Sequence, residues 1–229
     1  MAAARIAVII PALNEAAALP SLIAEIPQWV DRIIVADNGS TDATAMAAAA
    51  AGAEVVAAPR RGYGHACMAG VRAAADADIL VFLDGDRSDY PTRMGDLITP
   101  IERGKADLVI GSRVLGRAER GALSPQQRYG NRLACALVYL FWGHRYTDLG
   151  PFRAIRCSSL LALEMREMRY GWTIEMQVAA LRRGLAVTEV PVDVRRRIGV
   201  SKISGTIRGV ISAGTRILLV IFREALRRR

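Results

Sequence analysis

Ile79-Leu80-Val81-Phe82-Leu83-Asp84-Gly85-Asp86 is the stretch on which the fold turns. Five consecutive apolar residues are too few for a stable helix. They read as a strand buried on both faces, the kind found in parallel sheets. Two carboxylates follow at once. Charges at the end of an apolar strand cost desolvation unless something there uses them. Two carboxylates one residue apart on an extended turn can share a hard cation, Mg²⁺ or Mn²⁺, whose other positions take water and phosphate oxygens. The competing reading is a solvated acidic turn, and the apolar run that delivers the pair argues against it.

Outward from this run the same rhythm repeats. Residues 5–10, 32–37, 54–58, 79–83 and 108–110 are strand candidates, and 19–26, 43–51, 65–75 and 93–102 are the helices between them. Asp42 stands where an N-cap would, and Gly52 where the chain leaves the helix. Apolar strands alternating with helices predict an α/β domain with a mostly parallel, Rossmann-like sheet covered on both faces. The later chain predicts helices at 128–143 and 173–183, a strand at 152–156, and a strand pair over 186–196 broken at Pro191. From 205 it reads as an amphipathic helix. Ile207, Val210, Ile211, Leu218, Ile221, Phe222 and Ala225 mark one face, and Arg208, Ser212, Arg216, Arg223 and Arg227 the other. The expected division is one domain over 1–204 and a basic C-terminal helix over 205–229.

Composition narrows the classes. Of 229 residues, 52% are hydrophobic, which excludes a disordered chain. The three cysteines are widely spaced with no CxxC pair, so they read as reduced, buried thiols. The apolar run at 133–142 is too short to span a membrane, and no signal peptide is seen, so the expected location is cytoplasmic. The net charge of +9 is concentrated at the end: residues 195–229 hold ten basic side chains and one acidic, Glu224. Such a tail can serve nucleic acid, an anionic membrane or an anionic substrate.

In open α/β sheets ligands bind beyond the carboxyl ends of the strands. Three polar clusters fall there: Pro11-Ala12-Leu13-Asn14-Glu15, Asp37-Asn38-Gly39-Ser40-Thr41-Asp42, and Asp84-Gly85-Asp86. Asp37 is placed to accept hydrogen bonds from a base or ribose. Arg60-Arg61-Gly62-Tyr63-Gly64-His65 follows the third strand, where glycines let backbone N–H groups approach an anion. It is not a dinucleotide fingerprint, and no P-loop sequence is present.

These three clusters together resemble the inverting family 2 glycosyltransferases of the GT-A fold. Asp107-Leu108-Val109-Ile110-Gly111-Ser112-Arg113, Thr147-Asp148-Leu149-Gly150-Pro151-Phe152-Arg153 and Arg197-Ile198-Gly199-Val200-Ser201-Lys202 are similar to the dolichyl-phosphate (polyprenyl-phosphate) glucosyl- and mannosyltransferase branch. The resemblance implies that Pro11, Asn14, Glu15, Asp37, Asn38 and Arg61 bind the nucleotide and that Asp84 and Asp86 hold metal and diphosphate. It puts Arg113 near the sugar and acceptor phosphate, and has Arg197, Ser201 and Lys202 close over the site. Glu175 matches a carboxylate facing the donor pocket. Ser88 stands where mannosyltransferases of the branch often carry a glutamine metal ligand, which leans toward glucose.

The resemblance implies transfer of glucose from UDP-glucose, or mannose from GDP-mannose, to a polyprenyl phosphate. Such an acceptor is already largely ionised at neutral pH, so no general base is needed. The tail helix then has a use as a peripheral contact with the cytoplasmic face of the membrane. Three rivals stand beside this: a soluble acceptor with Asp148 or Glu175 as base, a nucleotidyltransferase, and a nucleic-acid-binding module. Aromatics are only 6% and do not interleave with the arginines, which disfavours nucleic acid. A homo-oligomer is compatible with all of these.

Overall fold

The computed structural model describes residues 4–199 and 207–227. Its strands are β1 (Ile6–Ala12), β2 (Arg32–Asp37), β3 (Glu54–Ala57), β4 (Ile79–Phe82), β5 (Leu108–Ser112), β6 (Arg153–Arg156) and β7 (Val187–Pro191). Its helices are α1 (Leu19–Ala24), α2 (Thr44–Ala50), α3 (Tyr63–Ala73), α4 (Met94–Glu102), α5 (Pro125–Trp142), α6 (Cys157–Ala162), α7 (Trp172–Arg182) and α8 (Ile207–Leu226). The strands form one sheet in the order β3-β2-β1-β4-β6-β5-β7. β4 is buried along its length, parallel to β1 on one side and antiparallel to β6 on the other. β6 is the strand that runs against the rest. This is the α/β, mostly parallel sheet with helices on both faces that the apolar runs predict.

Successive side chains of a strand point to opposite faces. Ala7 and Ile9 of β1 therefore join one core with α3, α5, α7 and α8, while Ile6, Val8 and Ile10 join the other with α1, α2 and α4. α5 starts earlier than its apolar run suggests. Ser124 and Gln127 form a reciprocal capping box, with Pro125 in the first turn, and these fix the start. Asp42 sits one position before the N-cap Ala43, but its Oδ1 still accepts the Thr44 N–H at 3.0 Å. The second half of the expected 186–196 strand pair is reduced to isolated bridges of Val194 with Asp89 and Ala118.

α8 corrects the picture of a helix with a solvated basic face. Val220 and Ile221 are buried against the domain, whereas Ile211, Leu219, Phe222 and Leu226 are exposed. Three of the described arginines pair with buried acids. Arg216 meets the buried Glu167 at 2.8 Å, and Arg223 meets the buried Glu175 at 2.7 Å. The buried Glu224 is paired with Arg182, Arg223 and Arg227. Arg227 is thus held by Glu224 at 2.9 Å. No described helix is long and apolar enough to cross a membrane.

Glu224 is the hub of that seam. Glu224→Ala should lower the unfolding free energy by about 1–3 kcal/mol, because three guanidinium groups lose their shared acceptor. Arg227→Ala, at an exposed pair, should cost under about 1 kcal/mol. Urea titration of the two variants checks the ranking.

Candidate active site

The end of β4 is pinned before the acidic turn begins, because the Leu83 N–H donates to the Ile9 carbonyl at 3.1 Å. The chain then passes Asp84, Gly85 and Asp86 against the end of β1. A Cβ on Gly85 would lie 3.4 Å from Glu15 Cγ and 3.5 Å from the Pro11 carbonyl oxygen. Pro11 and Glu15 therefore border the acidic turn. Asn14, in a left-handed conformation at φ 53°, ties the first cluster to the second. Its N–H donates to Ser40 Oγ at 2.9 Å, and its Oδ1 accepts the Thr41 N–H at 2.7 Å. Asp37 Oδ1 accepts the Ser40 N–H at 3.1 Å. The ends of β1, β2 and β4 thus meet along one edge of the sheet, as the strand-end argument requires.

Two residues expected to bind nucleotide have jobs in the scaffold. Asn38 is buried, donates to the Arg60 carbonyl at 2.8 Å and accepts the Gly62 N–H at 2.7 Å. Arg61 is exposed and reaches the Gly39 carbonyl at 3.2 Å. The glycines after β3 do not form an anion cradle. A Cβ on Gly64 would lie 2.6 Å from the Glu167 carbonyl oxygen, and the His65 N–H donates to the Met168 carbonyl at 3.0 Å. Gly62 and Gly64 let that neighbouring backbone come close.

Beneath the acidic turn, Phe82 packs edge-on to the fully buried Trp172 with centroids 4.8 Å apart. Trp172 in turn touches Tyr63, whose hydroxyl donates to Asp84 Oδ1 at 3.1 Å. Over the turn lies the segment 194–198. The Arg195 N–H donates to the Ser88 carbonyl and the Ile198 N–H to the Asp86 carbonyl, both at 2.9 Å. Arg195 also donates to the Asp89 carbonyl at 3.1 Å and pairs with Glu25 at 2.6 Å, and Glu25 in turn holds Arg87. Asp86 is buried, with Oδ1 taking the Ser88 N–H at 2.9 Å and Oδ2 taking the Arg197 guanidinium at 2.6 Å.

Arg113 closes the far side. Its guanidinium grips Asp148 in a two-pronged pair at 2.8 Å on each oxygen, and its N–H donates to the same carboxylate at 2.9 Å. Asp148 is held in turn by Glu189, which accepts its N–H at 3.1 Å, and by Gln177, which donates to its carbonyl at 3.1 Å. Arg153 is wholly buried and donates to the carbonyls of Leu149, Gly150 and Thr173, so it braces this loop from below. Glu175 lies elsewhere. Its carboxylate accepts the N–H groups of Arg166 and Glu167 and the guanidinium of Arg223, which places it in the α7–α8 seam, not facing the donor side. Ser201 and Lys202 fall outside the described residues.

Sequence reading passed over Asp89. It is 1% exposed, and among the described residues neither carboxyl oxygen has a hydrogen-bond partner. Burial, then the neighbouring charge of Asp84, pushes its pKa up to about 8. Burial and the Asp86 charge raise Asp84 as well. A cavity of about 540 Å³ bounded by Trp142, His144, Leu181, Arg182 and Arg227 shares no residue with this cluster, and both of its arginines are paired with Glu224.

These carboxylates bear on metal binding. Among the described residues no three acidic, histidine or cysteine side chains are already gathered round one point. A magnesium-like ion does not need three, because it is usually held by one or two carboxylates together with substrate phosphates and water. Asp84 and Asp86 supply the two, side by side at the end of β4. The donor set fits.

A sequence profile of the glycosyl transferase family 2 domain matches residues 7–164, from β1 through α6. The chain belongs to glycosyl transferase family 2. An uncharacterised glycosyltransferase of Mycobacterium tuberculosis is 38% identical over 221 residues, covering 93% of this chain and 96% of the relative. A dolichyl-phosphate hexose transferase of Haloferax volcanii is 30% identical, covering 97% and 96%. Among solved structures, glucosyl-3-phosphoglycerate synthase from Mycobacterium tuberculosis in complex with Mn²⁺, UDP-glucose and phosphoglyceric acid superposes with a TM-score of 0.78. It is 25% identical, and the match covers 97% of this chain and 80% of that one. The sheet and its flanking helices are accordingly those of the GT-A fold, and this family 2 protein is a glycosyltransferase.

The raised carboxyls set a pH test. A carboxyl whose folded pKa lies above its unfolded value holds its proton longer in the fold, so its contribution is present at low pH and drains as pH rises. For Asp89 that window runs from the ordinary carboxylate range, about 4, to about 8. Glu25 and Asp42 are lowered and contribute fully above the ordinary range. In metal-free buffer the melting temperature should therefore fall between about pH 5 and about pH 8, and Asp89→Asn should flatten the fall.

Proposed function

We propose that this family 2 glycosyltransferase moves a hexose, glucose or mannose, from UDP-glucose or GDP-mannose to a membrane polyprenyl phosphate, with inversion, using Mg²⁺ or Mn²⁺ held by Asp84 and Asp86. The observation that carries the reading is the pair of carboxylates at the end of β4, with Arg197 seated on one of them. A guanidinium at 2.6 Å from Asp86 marks a place built for positive charge. When bound, the metal would neutralise the diphosphate as it departs. Arg197, seated on Asp86, is the side chain that would be freed for an incoming anion if a metal took its place. Glu15 and Asp37 face the nucleoside from the ends of β1 and β2. The resemblance gives Ser201 and Lys202, which lie outside the described residues, the role of a lid over the same ligands.

An ionised acceptor suits the rest of the site. A hydroxyl acceptor needs a base, and the two carboxylates considered for that role are committed: Asp148 to Arg113 and Glu175 to Arg223. A phosphate monoester brings its own charged oxygen, so the chain has only to hold two anions close and in line. Support for a lipid carrier comes from the dolichyl-phosphate hexose transferase relative and from two adjacent helices. α5 leaves Tyr129, Leu133 and Leu140 exposed, α8 leaves Ile211, Leu219 and Leu226 exposed, and the helices touch through Phe141 and Phe222 with ring centroids 5.7 Å apart. Exposed apolar surface of this kind marks a membrane or protein contact. The membrane contact proposed for 205–229 thus rests on the apolar residues of α8 and extends to α5.

A second reading is transfer to a small soluble acceptor, favoured by the likeness to glucosyl-3-phosphoglycerate synthase. Incubation with labelled UDP-glucose or GDP-mannose and membrane lipid should carry label into the organic phase; label found only in water-soluble product sinks the lipid acceptor. Lys202→Ala should slow turnover at least tenfold more than it weakens nucleotide binding, and the opposite order would remove the lid. Leu140→Glu with Leu226→Glu should abolish co-sedimentation with anionic vesicles.

A further inference from the structure

Asp89 is the buried acid for which the described fold gives no partner. A carboxylate taken out of water ordinarily costs several kcal/mol unless it is paired or bonded. The surroundings make the omission sharper. Asp84 leans on the Tyr63 hydroxyl, Asp86 on Arg197, and Asp148 on Arg113. Among the described residues the cations near the cluster, Arg113 and Arg197, are thus already engaged, and Asp89 lies within the electrostatic reach of Asp84, Arg113, Asp86 and Asp148 with no bond to any of them. Its backbone is fixed from outside by the bridge to Val194 and by the Arg195 contact to its carbonyl.

We propose that Asp89 is a third carboxylate of the cation site, a positioning residue that accepts hydrogen bonds from water bound to the ion held by Asp84 and Asp86. The proposal rests on the metal assignment under the proposed function. A water-mediated contact fits the absence of any preformed three-ligand cluster among the described residues. It also gives this chain, with Ser88 at the position where related mannosyltransferases carry a metal-binding glutamine, another way to complete the ion's surroundings. Carboxylates that orient bound ligands in this way typically change metal affinity by 10–100-fold when removed.

The test is Mn²⁺ binding to the full chain in the presence of UDP, followed by electron paramagnetic resonance of the free ion. Asp89→Asn should weaken Mn²⁺ binding by about tenfold or more, while its metal-free melting temperature at about pH 8 equals or exceeds that of the parent. Asp89→Ser serves if the asparagine variant does not fold. Unchanged affinity in a folded variant overturns the proposal, as does a fall in turnover without a change in affinity. Asp86→Asn separates the two claims. If it loses Mn²⁺ while Asp89→Asn keeps it, only the role of Asp89 fails. If it retains Mn²⁺ at parental affinity, the metal assignment fails and takes Asp89 with it.

Discussion

An acidic turn desolvated at the end of an apolar strand must find positive charge, and in this chain it finds it 111 residues away, from Asp86 to Arg197. β4 can be buried on both faces only because β1 and β6 satisfy its backbone on either side. That burial pushes Asp84 and Asp86 out of bulk water, where like charges repel strongly. Arg197 answers one of them. The strap that brings it is itself fastened through Arg195 to Glu25 and to the carbonyls around residue 88. The neighbouring arginine, Arg113, is taken by Asp148, so among the described residues the cluster retains an excess of negative charge. A glycosyltransferase that handles a diphosphate has a direct use for such an excess, because a divalent ion is drawn to it.

The parallel half of the sheet was legible because its strands are uninterrupted apolar runs with turn chemistry between them. The convergence of Glu15, Asp37 and Asp84 follows from strand ends alone. What periodicity could not show was packing between distant elements. Glu175 looks like a polar residue on an apolar helix, and its role became visible only with α8 laid against it. Gly62 and Gly64 carry a phosphate-loop flavour in sequence, yet they serve the close approach of Glu167 and Met168. Asp89 shows no sequence pattern that distinguishes it from a solvated loop acid, because the absence of a partner is a property of three dimensions.

α8 shows how composition can mislead about direction. The ten basic residues against one acid over residues 195–229 invite a picture of a positive surface. Glu167, Glu175 and Glu224, all buried, instead draw Arg216, Arg223 and Arg227 inward, which turns several apolar residues outward. Buried ion pairs add little net stability compared with an apolar seam, but they fix which way a helix faces. Here they set the rotation of α8, and with it the apolar surface that α8 shares with α5.

The tie between Glu25 and Arg195 spans 170 positions. Contacts so far apart in sequence close late, since a long loop must be brought together before they form. On the ribosome, the first two-thirds of the sheet can assemble while its negative turn still lacks the arginine that will cover it. Activity in a nascent polypeptide must therefore wait until Arg195 and Arg197 have been made, and a chain stalled before that point would expose an uncompensated acidic surface to whatever cations the cell supplies.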